Sequence, residues 1–122
     1  MNNEESDNVI MKYHFPKKYN TTGDDYEFAL IKVDEKVFLT DQGRTVEMLD
    51  KIFVLSEPDV IKNLIAILKE LKVVQKTGSK LYIEINPWNG NPNEKENDIL
   101  NDAIYRLFSC VSFMDMMRIF YV

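Results

Sequence analysis

Residues 26–43, YEFALIKVDEKVFLTDQG, carry the most informative pattern in the chain. Tyr26–Val33 alternates apolar and polar side chains, which predicts a strand with Glu27 and Lys32 on its exposed face. A two-residue polar connection separates this segment from Lys36–Thr40, a second run rich in β-branched and apolar residues. Two such runs joined by so short a connection predict an antiparallel hairpin.

The other elements follow from periodicity and from signals at their ends. The further predicted strands are Val9–Phe15, which Pro16 would end, Val73–Lys76 and Lys80–Ile85. The predicted helices are Thr45–Phe53, Glu57–Leu71 and a last one from Asp98 to about Met117, with 119–122 fraying or turning strand-like. The order is β-β-β-α-α-β-β-α. Because hairpins join the strands, it predicts an α+β fold whose mainly antiparallel sheet is packed by helices.

Capping residues and apolar stripes support the three helices. We expect Asp41 or Thr45 to cap the first, Ser56 to cap the second ahead of Pro58, and Asp98 to cap the third. The second helix should bury one broad face, made of Val60, Ile61, Leu64, Ile65, Leu68 and Leu71. Residues 86–97 contain two prolines, a glycine and five asparagines, and are expected to be irregular.

Composition describes one ordinary globular domain. The chain has 122 residues, 45% of them hydrophobic and 29% charged, and we expect a disordered tail over 1–8 and a single domain over 9–122. A single cysteine excludes an internal disulfide, and neither a signal peptide nor an apolar run long enough to span a bilayer is evident, which favours the cytoplasm. The net charge of -5 argues against direct nucleic-acid binding.

A recognisable stretch spans Leu39–Leu49. Its Leu39, Thr40, Asp41, Gly43, Thr45 and Leu49 resemble the core of a bacterial and phage family, number 1828 among the domains of unknown function. The matching order of elements covers roughly residues 17–117. His14-Phe15-Pro16-Lys17 departs from the family, whose members often begin with a Thr-Pro-Phe-like segment. The family has no assigned activity, so the resemblance implies a phage or mobile-element context and no chemistry.

The turn after the second hairpin strand is the first candidate ligand site. Asp41, Gly43 and Arg44 could form a ligand loop at a strand-to-helix junction, with Arg44 recognising a carboxylate or phosphate. The structural alternative is favoured: Asp41 caps the helix, Gly43 supplies a positive φ, and Arg44 pairs with Asp41 or Glu47.

The sequence contains no well-formed catalytic or metal-binding motif. Asp34-Glu35-Lys36 and Pro58-Asp59 contain the residue types of a metal-dependent nuclease in the wrong order, and they fall in a turn and at a helix start. The lone His14 and the lone Cys110 assemble neither a nucleophile with its base nor a zinc site, and Cys110 is expected in the core. We therefore expect no enzyme, no metal and no cofactor.

Two features point to a protein partner. One is Trp88 in a polar loop, which could anchor a partner or fold back over the core. The other is the apolar C-terminal segment, which could complete the core or form an interface, including that of a homodimer. Its candidate partner-binding residues are Phe113, Met116, Met117, Phe120 and Tyr121.

These features predict a small acidic binding protein without catalytic activity. An inhibitor or accessory factor of a nucleic-acid-handling enzyme fits the charge and the phage context. The alternative is a DNA-binding regulator of winged-helix type, which would read DNA with the second helix and use residues 75–80 as the tip of a wing. A third possibility is an enzyme centred on Asp41 and Arg44, which would need a deep pocket beside them.

Overall fold

A computed structural model describes residues 8–20, 22–50, 57–76 and 80–121, with 118–121 described by their backbone alone. The strands are β1 (Val9–Lys18), β2 (Asp25–Val33), β3 (Lys36–Thr40), β4 (Val74–Lys76) and β5 (Lys80–Glu84). The helices are α1 (Arg44–Asp50), α2 (Pro58–Leu71) and α3 (Asp98–Tyr121). The predicted order of elements and the α+β class are confirmed.

The five strands form one antiparallel sheet in the order β1-β2-β3-β5-β4. The predicted hairpin between β2 and β3 pairs Leu30 with Leu39 and closes at Val33 and Lys36. The second hairpin joins the sheet through β5, since Leu39 also pairs with Ile83. Leu30, Leu39 and Ile83 therefore form one row across the middle of the sheet.

The core lies between this face of the sheet and the helices. Because residues opposite each other across a ladder share a face, the Leu30 row and its neighbours point the same way. The sheet contributes, among others, Tyr26, Phe28, Leu30, Leu39, Leu81 and Ile83, all buried. The helices meet them with Met48, Leu49, Leu100, Leu107, Cys110 and Met114, also buried. The expectation of Cys110 in the core is confirmed.

The sequence pattern predicted that Pro16 ends the first strand, and this prediction is wrong. β1 continues to Lys18, with a register irregularity between His14 and Lys18. β1 is an edge strand, so one row of its backbone groups needs no ladder partner and a proline is tolerated there. The predicted disordered tail lies outside the described residues apart from Asn8, whose carbonyl accepts a hydrogen bond from the Lys32 N–H at 2.8 Å.

The helix ends differ from the predictions in three places. The first helix begins at Arg44, and its predicted end at Phe53 falls outside the described residues. The N-cap residue of α2 is Glu57 rather than Ser56, and it makes no side-chain capping bond. Asn97 caps α3 in place of Asp98, because its Oδ1 accepts the Leu100 N–H at 3.1 Å.

The irregular segment between β5 and α3 is built on asparagine side chains. Asn89, Asn91 and Asn93 each accept, through Oδ1, the backbone N–H two residues further along, at 2.8–3.0 Å. Asn97 Nδ2 donates to Asn89 Oδ1 and to the Asn91 carbonyl, which ties this series to the start of α3. On the sheet side, the Tyr13 hydroxyl donates to the Pro92 carbonyl at 2.7 Å.

Candidate functional site

The turn at Asp41 is a structural junction. Asp41 is fully buried, and its Oδ1 accepts the N–H groups of Gly43 at 2.9 Å and Leu81 at 3.0 Å. Its Oδ2 accepts the Thr45 N–H at 3.1 Å, which caps α1. The side chain thus joins the end of β3, the start of α1 and the start of β5. Both oxygens are engaged inside the protein, which leaves no face of the carboxylate for a ligand.

Gly43 and Arg44 also take structural roles here. Gly43 has φ 83°, in the left-handed region that side chains disfavour, so this expectation is confirmed. Arg44 pairs with neither Asp41 nor Glu47. One of its terminal guanidinium nitrogens lies 2.9 Å from Glu27 Oε1. The predicted alternatives for its partner are therefore wrong.

Glu27 is the polar centre that the sequence pattern missed. Predicted on the exposed face of β2, it is 8% exposed and holds three partners. Besides Arg44, Gln42 Nε2 donates to Oε1 at 3.2 Å, and His14 Nε2 lies 3.0 Å from Oε2. Placing Glu27, His14 and Arg44 together required the β1–β2 register, in which His14 faces Glu27 directly. These donors compensate a carboxylate that is withdrawn from water.

This cluster and the Asp41 turn stabilise the junction of sheet and helix. Beside them, the Tyr19 hydroxyl and Thr45 Oγ1 share a buried hydrogen bond of 2.8 Å. Over the described ranges, no three His, Cys, Asp or Glu side chains converge in a way that could hold a metal ion. The residues predicted as a ligand loop are accounted for by these internal contacts.

Trp88 folds back over the core, which is one of its two predicted roles. Its side chain is half-buried and packs against the hydrophobic core from the loop between β5 and α3. That Trp88 also anchors a partner stays a prediction.

The C-terminal segment divides between core and surface. Met117 is buried in the core, so its prediction as a partner contact is wrong. Phe113 and Met116 are 54% and 43% exposed. The side chains of Phe120 and Tyr121 lie outside the described ones, and the backbone there is helical rather than strand-like.

A buried carboxylate fixes which side of α3 faces inward. Asp115 is 1% exposed and accepts hydrogen bonds from the backbone N–H of Asn20 at 3.1 Å and its Nδ2 at 3.0 Å. The Tyr26 hydroxyl donates to the same carboxylate at 3.2 Å. Met114 and Met117 are buried as well, whereas Phe113 and Met116 point outward.

The outward side of α3 carries three exposed apolar side chains that we call the α3 stripe: Tyr105, Phe113 and Met116, with Ser109 and Ser112 between the first and the last. Tyr105 is 70% exposed, the largest exposure among the described large hydrophobic side chains. Phe113 also closes one end of a shallow apolar groove of about 310 Å³ against Ile67 and Leu71 of α2. A helix that packs on a core needs no such side chains on its far side.

α2 buries less of its apolar face than its spacing predicts. Val60 alone is fully buried on this helix, and Leu64, Ile67, Leu68 and Leu71 are half-buried against the core. Ile61 and Ile65 are exposed, and they border a second groove of about 280 Å³ with Val46, Leu64, Leu68, Gln75 and Met114. The predicted broad buried face is therefore wrong for Ile61 and Ile65.

The second face of the sheet carries an aromatic pair. The rings of Phe38 and Tyr82 lie 5.4 Å apart, and Lys76 Nζ sits 5.4 Å above the Phe38 ring. They line an open groove of about 620 Å³ that runs to the β2–β3 turn, where Asp34 and Glu35 add negative charge. This mixture of charges gives the groove no clear preference for a phosphate or for a cation.

The winged-helix alternative stays a prediction. The hairpin expected to serve as a wing is part of the five-stranded sheet, with β5 between β3 and β4. The tip of that hairpin, 77–79, lies outside the described residues. The α2 surface expected to enter the DNA groove, Lys62, Asn63, Lys69 and Glu70, is exposed, and it contains two basic residues and no arginine.

Comparison with known proteins adds no relative: no family model matches the chain, and no curated protein or solved structure matches it. The resemblance to family 1828 stays a prediction. Within the described part of the chain, no helix combines the length and the apolar character needed to cross a membrane.

Proposed function

We propose that this chain is a non-catalytic domain that works by binding another protein through the α3 stripe. The exposure of Tyr105, Phe113 and Met116 on one side of the last helix is the observation that carries the proposal. Aromatic side chains and methionine are enriched where proteins meet, because they offer large apolar area on an adaptable surface. The same helix is anchored by its opposite side, so the stripe is presented on a fixed support.

The charge around the stripe favours a basic partner. Asp98 and Asp102 lie on the first turns of α3, ahead of Tyr105, where Asp102 is paired with Arg106 at 2.9 Å, and the whole chain carries a net charge of -5. The net negative charge of the chain matches a partner whose apolar contact is bordered by lysine or arginine. Nucleic-acid-handling enzymes have basic grooves of this kind, so an inhibitor or accessory factor of such an enzyme, of phage or mobile-element origin, is the role that we propose. The cytoplasm is the compartment in which it would meet that enzyme.

Affinity capture with matched variants tests this proposal. The immobilised chain is exposed to an extract of its source organism, and bound proteins are identified by mass spectrometry. We expect a basic partner that binds the wild-type chain, is released by salt, and is lost with Met116→Asp combined with Phe113→Asp.

Met11→Asp is the matched control, because Met11 is as exposed as Met116 but lies on edge strand β1. It should leave capture unchanged. A partner that binds the stripe variant and the wild-type chain equally well would rule out the α3 stripe, and the absence of any enriched partner would count against the binding role itself.

A further inference from the structure

The exposed flank of α2 has the residue spacing of a helix–helix seam. Pro58, Ile61, Ile65, Leu68 and Lys72 follow one another at intervals of three and four residues, and all but the half-buried Leu68 are exposed. This is the spacing that keeps one line of side chains facing a partner helix. Ile61 and Ile65 stand at its centre and are 38% and 57% exposed. The two isoleucines are therefore available to a second helix.

The two ends of α2 carry opposite charges. Glu57 and Asp59 lie at its N-terminus, while Lys69, Glu70 and Lys72 lie at its C-terminus, and all five are exposed. Glu70 faces the groove that contains Phe113, so the two lysines dominate the charge at this end of the seam. A copy of the same helix running antiparallel places the acidic end of each helix against the basic end of the other. It also aligns the two helix dipoles favourably. A parallel copy would bring like charges together.

We propose that α2 is the self-association surface of this protein and that its occupant is a second copy of the chain, packed antiparallel about a two-fold axis. In this arrangement Ile61 of one copy contacts Ile65 of the other, and the same contact is repeated by symmetry. Glu57 then comes within reach of the partner's Lys72. The groove beside Ile61 and Ile65, of about 280 Å³, receives the apolar side chains of the second copy.

This dimer goes beyond the proposed function and uses a different surface. The α3 stripe lies on another helix, and the groove that Phe113 closes contains Ala66, Ile67, Glu70 and Leu71, a different set of α2 residues from the seam. Loss of the dimer and loss of partner capture are thus separate results, and either can occur without the other.

Sedimentation equilibrium of the full chain over a wide concentration range tests the dimer. We expect a reversible monomer–dimer equilibrium that Ile65→Asp weakens by at least about tenfold, since a charge placed at the centre of a small apolar interface is left without a partner. Because Ile65 is more than half exposed, the variant should retain the wild-type circular dichroism and unfolding midpoint. Phe113→Asp is the control and should dimerise like the wild type.

Charge reversal tests the antiparallel arrangement independently. Glu57→Lys and Lys72→Glu should each weaken the dimer severalfold, and the two together should restore most of the affinity, because the pair is re-formed with its signs exchanged. The proposal is overturned by a chain that stays monomeric at all concentrations. It is equally overturned by a dimer that Ile65→Asp leaves intact, or by charge reversals whose effects simply add.

Discussion

The carboxylate of Asp41 accepts the backbone N–H of Leu81 at 3.0 Å, although the two residues are separated by 40 positions in the sequence. The same side chain caps α1 through the Thr45 N–H. One residue therefore fixes both where the first helix begins and where β5 enters the sheet beside β3.

Replacing Asp41 should destabilise the fold more than its small size suggests. Asp41→Ala leaves two buried backbone N–H groups and one partly buried one without their acceptor, and each bond to a charged group contributes about 1.5–3 kcal/mol. We expect a loss of about 3 kcal/mol or more in denaturant unfolding. Asp24→Ala, at an exposed position, should stay within about 0.5 kcal/mol of the wild type. Equal unfolding midpoints for the two variants would contradict the structural role of Asp41.

The stability lost on replacing Gly43 should depend on how well the new residue tolerates a positive φ. With φ 83°, Gly43→Ala should lower the free energy of unfolding by about 1 kcal/mol. Gly43→Asn should lower it less, since asparagine tolerates left-handed conformations better than alanine does. Chemical denaturation of the two variants side by side provides the measurement. A larger loss for asparagine than for alanine would show that side-chain space, and not φ, decides this position.

Buried tyrosines should make the fold sensitive to alkali. Burial, reinforced by the charge of Glu94, raises the pKa of Tyr13 to about 12, and burial also raises the pKa of Tyr26 to about 12. Burial raises the pKa of Tyr19 as well. In the unfolded chain these phenols ionise near 10.0, so they favour unfolding once the pH exceeds that value. Stability should be unaffected below pH 10.0 and fall as the pH rises from there towards about 12.

Phenolate absorbance during an alkaline titration measures this effect. Of the six tyrosines, Tyr13, Tyr19 and Tyr26 should ionise late, together with the loss of circular dichroism. Tyr26→Phe should remove one of the late-ionising groups. Six phenols that titrate together near 10.0 while the circular dichroism remains native would contradict the burial of these rings.

The thiol of Cys110 should not react with thiol reagents until the protein unfolds. Burial, with a smaller effect of the Asp41 charge, raises its pKa to about 12, so almost no thiolate exists at mildly alkaline pH. A chromogenic disulfide reagent should label the native chain only at the rate of global opening and should label it at once in denaturant. Because the chain has a single cysteine, Cys110→Ala supplies the blank. Immediate labelling of the native chain would show that the α3 core is open.

The chain should leave nucleic acids intact. Asp34 lies in the β2–β3 turn and Asp59 in the first turn of α2, so the nuclease-like residue types belong to separate elements. Plasmid, single-stranded DNA and RNA incubated with the protein and Mg²⁺ or Mn²⁺ should remain uncut. Cleavage that Asp34→Ala or Asp59→Ala abolishes would contradict this expectation, whereas cleavage unaffected by both would indicate a contaminant.

Local patterns predicted the elements well because their causes are local. The alternation in Tyr26–Val33 and the short connection after it specify the β2–β3 hairpin without reference to the rest of the chain. The start of α2 at Pro58 likewise follows from the restricted φ of proline. The position of Asp41 between strand and helix was enough to predict its capping role.

Long-range pairing explains most of the misses. The burial of Glu27 depends on His14 from a different strand and Arg44 from a helix, and alternation within one strand contains neither contact. Pro16 is compatible with β1 only because β1 lies at the sheet edge, a property of the assembled sheet. The apolar residues of α2 were predicted to be buried because periodicity finds the apolar side of a helix but does not measure how much of it the neighbouring elements cover.

The contacts of Asp115 with Asn20 and Tyr26 have a consequence for the outer surface. α3 has apolar side chains outside its buried face as well, among them Phe113 and Met116, so apolar character alone specifies its rotation about its axis weakly. The buried Asp115 carboxylate fixes the rotation, because any other orientation would leave it buried without its hydrogen-bond donors. Which methionines of α3 reach the surface is therefore decided on the far side of the helix, by a buried residue.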